Sequence, residues 1–499
     1  MQRLTSSFVS QVLGLQVGSS PNTSNDITFT SITTDSRLVR EGALFVAVKG
    51  DKVDGHDYIS QALQKGARGV LCEKRAAAFE NPNHAQVFEV AESQGSIESY
   101  RTLSAAWRGQ FQIPVIAVAG SVGKTTTKEL LASMLAGKWS APGEVLKTQG
   151  SQNGYLGIPM TLFELTPATR VAVVEIGIDE IGAMEKHVEI VRPTYAVMTA
   201  IGPEHLEKLH DVPTVAREEL KAMSWTAAHG GLVAMDLDNE WLAPLAKDLR
   251  ESTDSPPAVF YSFSPQPRMA FNGARVLFAN VTSAGTLEIE GLSGKTESFE
   301  LPLLGAHNAR NFTAALAVAA GLGLSASEIR EGLAGFKGAT GRSEIKNLAR
   351  PSGQSVQVVC DYYNANPTSV EAALDLLTEL SHRDSRARVR WACLADMLEL
   401  GAQEEKLHRA LAEKLNALGI ENVLLFGPRM KWLATELKTR SFKGKLLHFE
   451  TQGEMADFVN RKLMPEDVLL IKGSRSMKME EIWSLLQPQE NQQAQGNKT

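Results

Sequence analysis

The sequence predicts an α/β protein of three domains, and three observations predict it. At 499 residues the chain is longer than one ordinary hydrophobic core sustains. Short apolar runs alternate with helical stretches through its middle and its C-terminal part, as parallel strands covered by helices do. And "VIAVAGSVGKTTTKELL" (Val115 to Leu131) reads as a strand, a glycine turn and a helix start.

The elements follow in chain order. Residues 1–110 form a small α/β domain, with "GALFVAVKG" (Gly42 to Gly50) as a strand. There "YISQALQKGA" reads as a helix that stops at a glycine. Residues 111–338 form a central P-loop domain with a mostly parallel sheet. Its strands after the glycine turn are "RVAVVEIG", "TYAVMTAIG" and "GGLVAMD". "ARVLFANVTSAGTLEIEGL" reads as a hairpin added to that sheet, and "HNARNFTAALAVAAGLG" as a helix. The glycine-rich "GFKGATGRSEI" is a hinge into the third domain, residues 339–487. In it "VRWACLADM", "NVLLFGPR", "KLLHFE" and "DVLLIKGS" alternate with helices, which predicts a second, Rossmann-like sheet. The polar, low-complexity tail 488–499 is expected to be disordered.

Composition excludes several classes. A hydrophobic content of 43% and a charged content of 22% are those of a soluble globular protein. The net charge of -6, without a basic block, gives no footprint for nucleic acid. Cys72, Cys360 and Cys393 are scattered, so neither a disulfide framework nor a zinc site is expected. The N-terminus lacks a basic region followed by a long apolar stretch, and no run is long enough to span a membrane. The expected location is the cytoplasm.

The glycine turn carries the chemistry. A strand, turn and helix start present free N–H groups and a positive dipole end to phosphate. Gly120, Ser121, Val122, Gly123, Lys124, Thr125 and Thr126 make up that cradle. Lys124 can reach the terminal phosphates and Thr125 can ligate Mg²⁺. The strict pattern has a glycine where Val118 stands, so this is a shortened G-x-x-G-K-T. A structural glycine turn with a surface lysine is the competing reading; the flanking strand and helix favour phosphate. No N-K-x-D element for guanine is present. Glu175 ends the strand "VAVVE", where a carboxylate points into a ligand crevice and can hold metal. A capping or solvent-facing glutamate is its alternative. His205, after another strand, reads by itself as an ordinary surface histidine, because Mg²⁺ prefers oxygen ligands.

"GSVGKTTTKE", "EIG", "HLE" and "HNARN", in that order, resemble the Mur ligases, ATP-dependent amino-acid ligases of peptidoglycan synthesis. "DYYNANPTSVEAAL", "ADMLELG" and "KGSRSMKME" sharpen the resemblance to the branch that adds D-alanyl-D-alanine to a UDP-muramoyl tripeptide. "TTDSRLVREGALFVAVKGDKVDGHDYI" is similar to that branch's UDP-sugar-binding domain. The resemblance covers nearly the whole chain except the tail.

It implies a reaction and a set of residues. The tripeptide's terminal carboxylate takes the γ-phosphoryl of ATP, and the dipeptide's amine displaces phosphate from the acyl phosphate. Lys124 then contacts the β- and γ-phosphates, and Thr125 one Mg²⁺. Glu175 and His205 match ligands of a second Mg²⁺. Asn308 and Asn311 match residues near adenine, with a polar helix face as their alternative. Asn153 matches an asparagine near the acceptor substrate, and a turn asparagine beside Gly154 explains it equally well. Arg342 fits an arginine that reaches the γ-phosphate; a surface arginine is the competing role. Asp361, Asn364 and Asn366 fall where the third domain meets ATP and the dipeptide. Ser36 and Arg37 fit uridine-diphosphate binding, against a plain turn. A monomer is expected, and lysine and diaminopimelate both remain open at the third peptide position.

One position departs from the family. Where Mur ligases commonly carry a lysine carbamylated by CO₂, "PTVAREELKAM" has Glu219. Glutamate offers the same charge on a shorter arm, so Glu219 is expected to replace the carbamate. Lys221 is the alternative after a local shift, but two positions turn a helix by about 200°, which would face it away. A folylpolyglutamate synthase-like ligase and a non-enzymatic nucleotide switch are the competing functions. The first-domain block argues against the folate ligase.

Overall fold

The apolar runs condense into three sheets in the computed structural model, which describes residues 3–15, 26–50, 53–74, 79, 81, 84–242, 244–245, 257–264, 274–350, 353–382 and 388–487. The tail 488–499 lies outside the described residues. Among the described residues no helix is long and apolar enough to cross a membrane.

The first sheet is parallel, β1 (Ile32–Thr33), β2 (Leu44–Val46), β3 (Gly69–Glu73) and β4 (Gln86–Val90), in sequence order. The strand read over Gly42 to Gly50 is cut to Leu44–Val46 because a turn closes beyond it, where the Gly55 N–H donates to the Val48 carbonyl (2.8 Å).

The central sheet holds β5 (Val115–Ala119), β6 (Val145–Lys147), β7 (Val171–Glu175), β8 (Tyr195–Met198), β9 (Leu232–Asp236), β10 (Ala258–Ser262), β11 (Arg275–Val281), β12 (Thr286–Glu290) and β13 (Glu297–Glu300). Their order is β13-β12-β11-β10-β9-β8-β5-β7-β6. The pairs from β6 to β11 are parallel; β11 and β12 form the antiparallel hairpin read from the sequence, and β13, not read there, extends it by one more antiparallel strand. β5 lies between β7 and β8, so the chain leaves it to one side and returns on the other. In such a sheet ligands bind outside the carboxyl ends of the strands, at that reversal.

The third sheet comprises β14 (Glu344–Ala349), β15 (Ser355–Asp361), β16 (Arg390–Ala395), β17 (Asn422–Phe426), β18 (Lys445–Phe449) and β19 (Val468–Lys472), ordered β14-β15-β19-β16-β17-β18. All pairs but β14–β15 are parallel. The glycine-rich link before it has no regular structure from Lys337 to Ala339, and bends through Gly338 (φ +73°) and Gly341 (φ +69°).

The helix Ser96–Arg108 fastens the first sheet to the central one. Its Arg101 side chain is buried and donates to the Tyr155 (3.3 Å) and Lys186 (2.8 Å) carbonyls. Arg108 donates to the carbonyls of Val191 (2.9 Å), Phe111 (2.7 Å) and Arg192 (3.1 Å). Two of these close the end of the helix Ala183–Val191, whose last carbonyls lack helical partners and carry negative dipole. Burial lowers the Arg108 guanidinium to about 10, and these carbonyls keep its charge solvated inside the protein. One apolar cluster runs from Leu4 and Phe88 through Tyr100 and Trp107 to Val115 and Met198, so the core crosses residue 110 without a break.

His187 sits in this junction with no exposed surface, its ring edge-on to Tyr155 at 4.9 Å. Burial and then the Arg101 charge press its pKa from 6.5 down to about 3. Above pH 6.5 the folded and unfolded forms are both neutral there. Below it only the unfolded chain takes up the proton, so stability falls as pH drops toward 3. Denaturant titrations at pH 7.5 and 5 should differ by about 2 kcal/mol through this group. His187→Leu should lose that share of the difference.

Candidate active site

The reversal in the central sheet and the carboxyl ends of the third sheet face each other across a cavity of about 270 Å³. The glycine turn forms its floor. β5 ends at Ala119, Gly120 takes φ +117° and Gly123 φ +95°, and the helix Lys124–Ala136 begins at once. A side chain at Gly123 would also collide with Asn311 Oδ1, so glycine is required there twice over.

Lys124 lies among acids. Its Nζ donates to the Gly120 carbonyl, stands 3.4 Å from Glu204 Oε2 and 3.9 Å from Glu219 Oε1. Burial disfavours the ammonium, but Glu204, Glu219 and Glu175 together hold its pKa above the ordinary lysine value. Glu219 comes from the helix Val212–Ala228, is fully buried, and accepts the Gly120 N–H at 2.8 Å. Burial pushes its pKa up to about 8, against the pull of Lys124. Lys221 is turned away, paired with Glu185 (2.5 Å) and Glu218 (2.6 Å).

Glu175, at the end of β7, is buried rather than solvent-facing. It accepts from Thr125 Oγ1 (3.0 Å) and Asn153 Nδ2 (2.8 Å), with Lys128 Nζ 3.5 Å away. Glu175 Oε2, Glu204 Oε1 and Glu219 Oε1 are buried and accept no hydrogen bond among the described residues. Among the described residues no three such side chains are grouped closely enough to hold a metal by themselves, but these buried, unpartnered oxygens, Glu175 by the Thr125 hydroxyl and Glu204 and Glu219 by Lys124, are hard donors of the kind Mg²⁺ takes. His205 also lines the cavity, its Nδ1 2.7 Å from Glu399 Oε2. Burial lowers the pKa of His205, but Glu399 and Glu204 outweigh that and raise it.

The third domain closes the opposite wall. Arg342 is no surface arginine: its guanidinium lies 4.1 Å over the Tyr363 ring and donates to Ser151 Oγ at 3.2 Å. Asp361, ending β15, accepts from Lys472 Nζ at 2.6 Å and from the Ser343 N–H at 3.0 Å. Lys472 ends β19, is buried, and also donates to the Asn364 carbonyl (3.1 Å). The Asn366 side chain accepts from the Ser369 N–H (2.9 Å) and so caps the helix Pro367–His382 while lining the cavity. Asn364 Oδ1 accepts from the Ala365 N–H at 2.9 Å. On the central side Asn308 donates to the Leu304 carbonyl (2.7 Å) and Asn311 to Asn308 (3.3 Å).

The cavity thus gathers Ser121 to Thr126, Asn153, Glu175, His205, Asn308, Asn311, Arg342, Asp361, Asn364 and Asn366. Gly120 and Glu219, hydrogen-bonded to each other, do not line it. Ser36 and Arg37 do not line it: Ser36 Oγ donates to Gln61 (2.8 Å) and Arg37 pairs with Asp35 (2.7 Å) in the first domain. Sequence reasoning missed Glu204, Glu399, Lys472 and Tyr363 as site residues, although the last three lie inside motifs already singled out and Glu204 immediately precedes another.

Three family models match the chain in order: Mur ligase family, catalytic domain, over 28–109; Mur ligase middle domain, over 118–319; and Mur ligase, glutamate ligase domain, over 341–475. The UDP-N-acetylmuramoyl-tripeptide–D-alanyl-D-alanine ligase of Escherichia coli (strain K12) is 32% identical over 467 residues, covering 93% of this chain and 94% of that protein. The chain belongs to the Mur ligase family. The Bacillus subtilis (strain 168) ligase of the same name is 29% identical, over 90% of this Mur ligase and 92% of its own length. A crystal structure of MurF from Acinetobacter baumannii superposes with a TM-score of 0.80 at 26% identity, covering 97% of this chain and 99% of that one. MurF ligase from Thermotoga maritima, in complex with ADP, shares the fold, with a TM-score of 0.73 at 24% identity over 93% and 98% of the two chains.

Lys124→Met would leave buried carboxylates without their cation. In magnesium-free buffer at pH 8.5, unfolding titrations should show a loss of about 3 kcal/mol. The loss should shrink toward pH 6, as Glu219, whose pKa burial lifts to about 8, takes up its proton and part of the uncompensated charge disappears. Calorimetry should show ADP bound about 10–100-fold more weakly, as for a lost hydrogen bond to a charged group.

Proposed function

We propose that this Mur ligase joins D-alanyl-D-alanine to UDP-N-acetylmuramoyl-tripeptide, converting ATP to ADP and phosphate in the cytoplasm. The single observation that carries the reading is the meeting of the Lys124 turn with Arg342, Asp361 and Lys472 across one cavity. The likeness to the Escherichia coli ligase over nearly its whole length supports the choice of substrates.

In this reading residues 1–110 hold the UDP-sugar, with Ser36 and Arg37 near the diphosphate. Residues 111–338 hold ATP, and residues 339–487 close over it and bring the dipeptide. The N–H groups from Gly123 to Thr126, at the helix start, bind the phosphates, while those of Ser121 and Val122 hold the turn by donating to the Ala200 carbonyl (2.8 and 3.2 Å). Lys124 swings from the Gly120 carbonyl to the β- and γ-phosphates, and Arg342 meets the γ-phosphate from the other wall. Asn308 and Asn311 lie toward adenine and Asp361 toward the rest of the nucleoside. Asn153 orients the acceptor carboxylate from the Glu175 side, and Asn364 and Asn366 face the incoming dipeptide.

Thr125, Glu175, Glu204, Glu219 and His205 are the groups that would hold Mg²⁺, which when bound screens the phosphate from the attacking carboxylate. The reaction needs that screening because two anions must meet. A carboxylate oxygen attacks the γ-phosphorus, and ADP leaves. The dipeptide amine then attacks the acyl carbon, its proton is lost, and the C–O bond breaks to release phosphate. Closure of the third domain keeps water from the acyl phosphate.

A phosphate-release assay with ATP, Mg²⁺, D-alanyl-D-alanine and either the lysine or the diaminopimelate UDP-tripeptide tests the reading. Phosphate should appear with the full mixture and fall to background when any component is left out. With ¹⁸O in the tripeptide carboxylate, one labelled oxygen should pass into the phosphate. Unlabelled phosphate would exclude the acyl phosphate, and ATP binding without turnover would favour a switch.

Glu219 stands in for the family's carbamate in this reading. Glu219→Ala should weaken activation by Mg²⁺ about 10–100-fold. The intact mass of the wild-type chain should show no carbamate on Lys221. Full activity of Glu219→Ala, or such an adduct, would reverse the assignment.

A further inference from the structure

Two non-glycine residues meet across the cleft with positive φ. His205 (φ +47°) follows β8 in the central domain, and Glu399 (φ +64°) lies in the turn after β16 in the third. This region of backbone is sparsely populated by residues with a side chain, and where it persists the surroundings hold it in place. Here each strained residue is the other's partner, with His205 Nδ1 2.7 Å from Glu399 Oε2.

The turn that carries Glu399 is braced from inside the third domain. The Met397 N–H donates to Nε2 of the buried His408 (3.1 Å), whose Nδ1 lies 2.7 Å from the Glu404 carbonyl. The Leu398 N–H donates to Ser474 Oγ (2.9 Å), and the Ser474 N–H to the Asp396 carbonyl (3.1 Å). His205 opens a short helix, Leu206–Leu209, in the central domain. The two pieces fit closely. The Glu207 N–H donates to the Glu399 carbonyl at 3.3 Å, and Gln403 Nε2 to the His210 carbonyl at 3.1 Å. A Cβ at Gly401 would come within 3.1 Å of Glu207 Cα.

The Glu399 side chain is 56% exposed, so as an ion pair it adds little to stability. Its geometric effect is larger. A carboxylate at Nδ1 fixes the proton there and presents Nε2, the nitrogen the ring has left for the cavity. Because the carboxylate and the ring belong to different domains, that orientation exists only when the domains are docked.

We propose that Glu399 is a positioning residue that couples closure of the third domain to the nucleotide site, by accepting the Nδ1 proton of His205 and aiming its Nε2 at the bound phosphates and their cation. The proposal rests on the reading of the cavity as a nucleotide site. It can fail separately, because its test needs neither the UDP-tripeptide nor the dipeptide.

The test uses the full chain with ¹⁵N-labelled histidine, ADP and Mg²⁺, with the His205 signals assigned through His205→Gln. Wild type should show the Nδ1–H tautomer and a narrow distance distribution between spin labels on the outer faces of the central and third domains. Glu399→Ala should convert His205 to a mixture of tautomers, broaden that distribution, and raise the half-saturating Mg²⁺ concentration for ADP binding about 10-fold. Glu399→Gly removes the same carboxylate and suits the backbone at this φ, so it should fold at least as well and give the same result. Glu399→Gln keeps an accepting oxygen and should keep the Nδ1–H tautomer. The proposal is overturned if the Ala and Gly variants retain wild-type tautomer and distances. Loss of the tautomer in all three would point to a disturbed turn and overturn it equally.

Discussion

Everything in the site is arranged around one electrostatic problem, the Lys124 ammonium and the carboxylates of Glu175, Glu204 and Glu219 held together away from water. One lysine does not satisfy three acids. Lys128 helps Glu175, and the Gly120 N–H helps Glu219, yet among the described residues an oxygen of each acid stays without a hydrogen bond. Such a cluster is costly unless further positive charge arrives. The fold supports the cluster because each member is set by a strand end or a packed helix. Glu175 ends β7, Glu204 follows β8, Lys124 follows β5, and Glu219 rises from the helix Val212–Ala228. The arrangement thereby leaves negative charge that further cations could offset, as the proposed nucleotide site requires.

The same logic explains what the sequence disclosed. Most parallel strands of the central and third sheets were readable because burial on both faces makes them continuous apolar runs, as in "VIAVA" and "VLLIK", whereas β6 and β10 went unread. β15, "SVQVVCD", was passed over, since Gln357 interrupts the run and the strand meets an antiparallel edge partner in β14. The glycine turn was legible because its conformation and its close approach to Asn311 both demand glycine. Glu204 was not, because a glutamate one residue before a histidine in a loop has no periodicity to betray it. Its role depends on β8 lying beside β5, and that adjacency is a property of topology. Lys472 and Tyr363 were hidden for the same reason: they act on Asp361 and Arg342, which lie more than one hundred and about twenty residues away along the chain.

The resemblance to Mur ligases and the geometry inform each other at Glu219. The motif comparison located a missing lysine, and burial supports Glu219 rather than Lys221 as its proposed replacement. Glu219 reaches the turn from inside the protein, whereas Lys221 is already neutralised by Glu185 and Glu218 on the outer side of its helix. A carbamate requires CO₂ and an unprotonated lysine. A glutamate requires neither, so the proposed replacement supplies a carboxyl group without any need for CO₂.

The unbroken apolar cluster across residue 110 carries a lesson about modularity. Three sheets suggest three interchangeable parts, but the first two share their interior, and Arg101 and Arg108 solder the helix between them to its neighbour's backbone. Severing the chain at that point would strip greasy surface from both pieces. Severing it near Lys337 would cut only a bare connector. For anyone building chimaeras, the natural unit of exchange is therefore the C-terminal third alone, and the portions that carry the first two sheets travel as one.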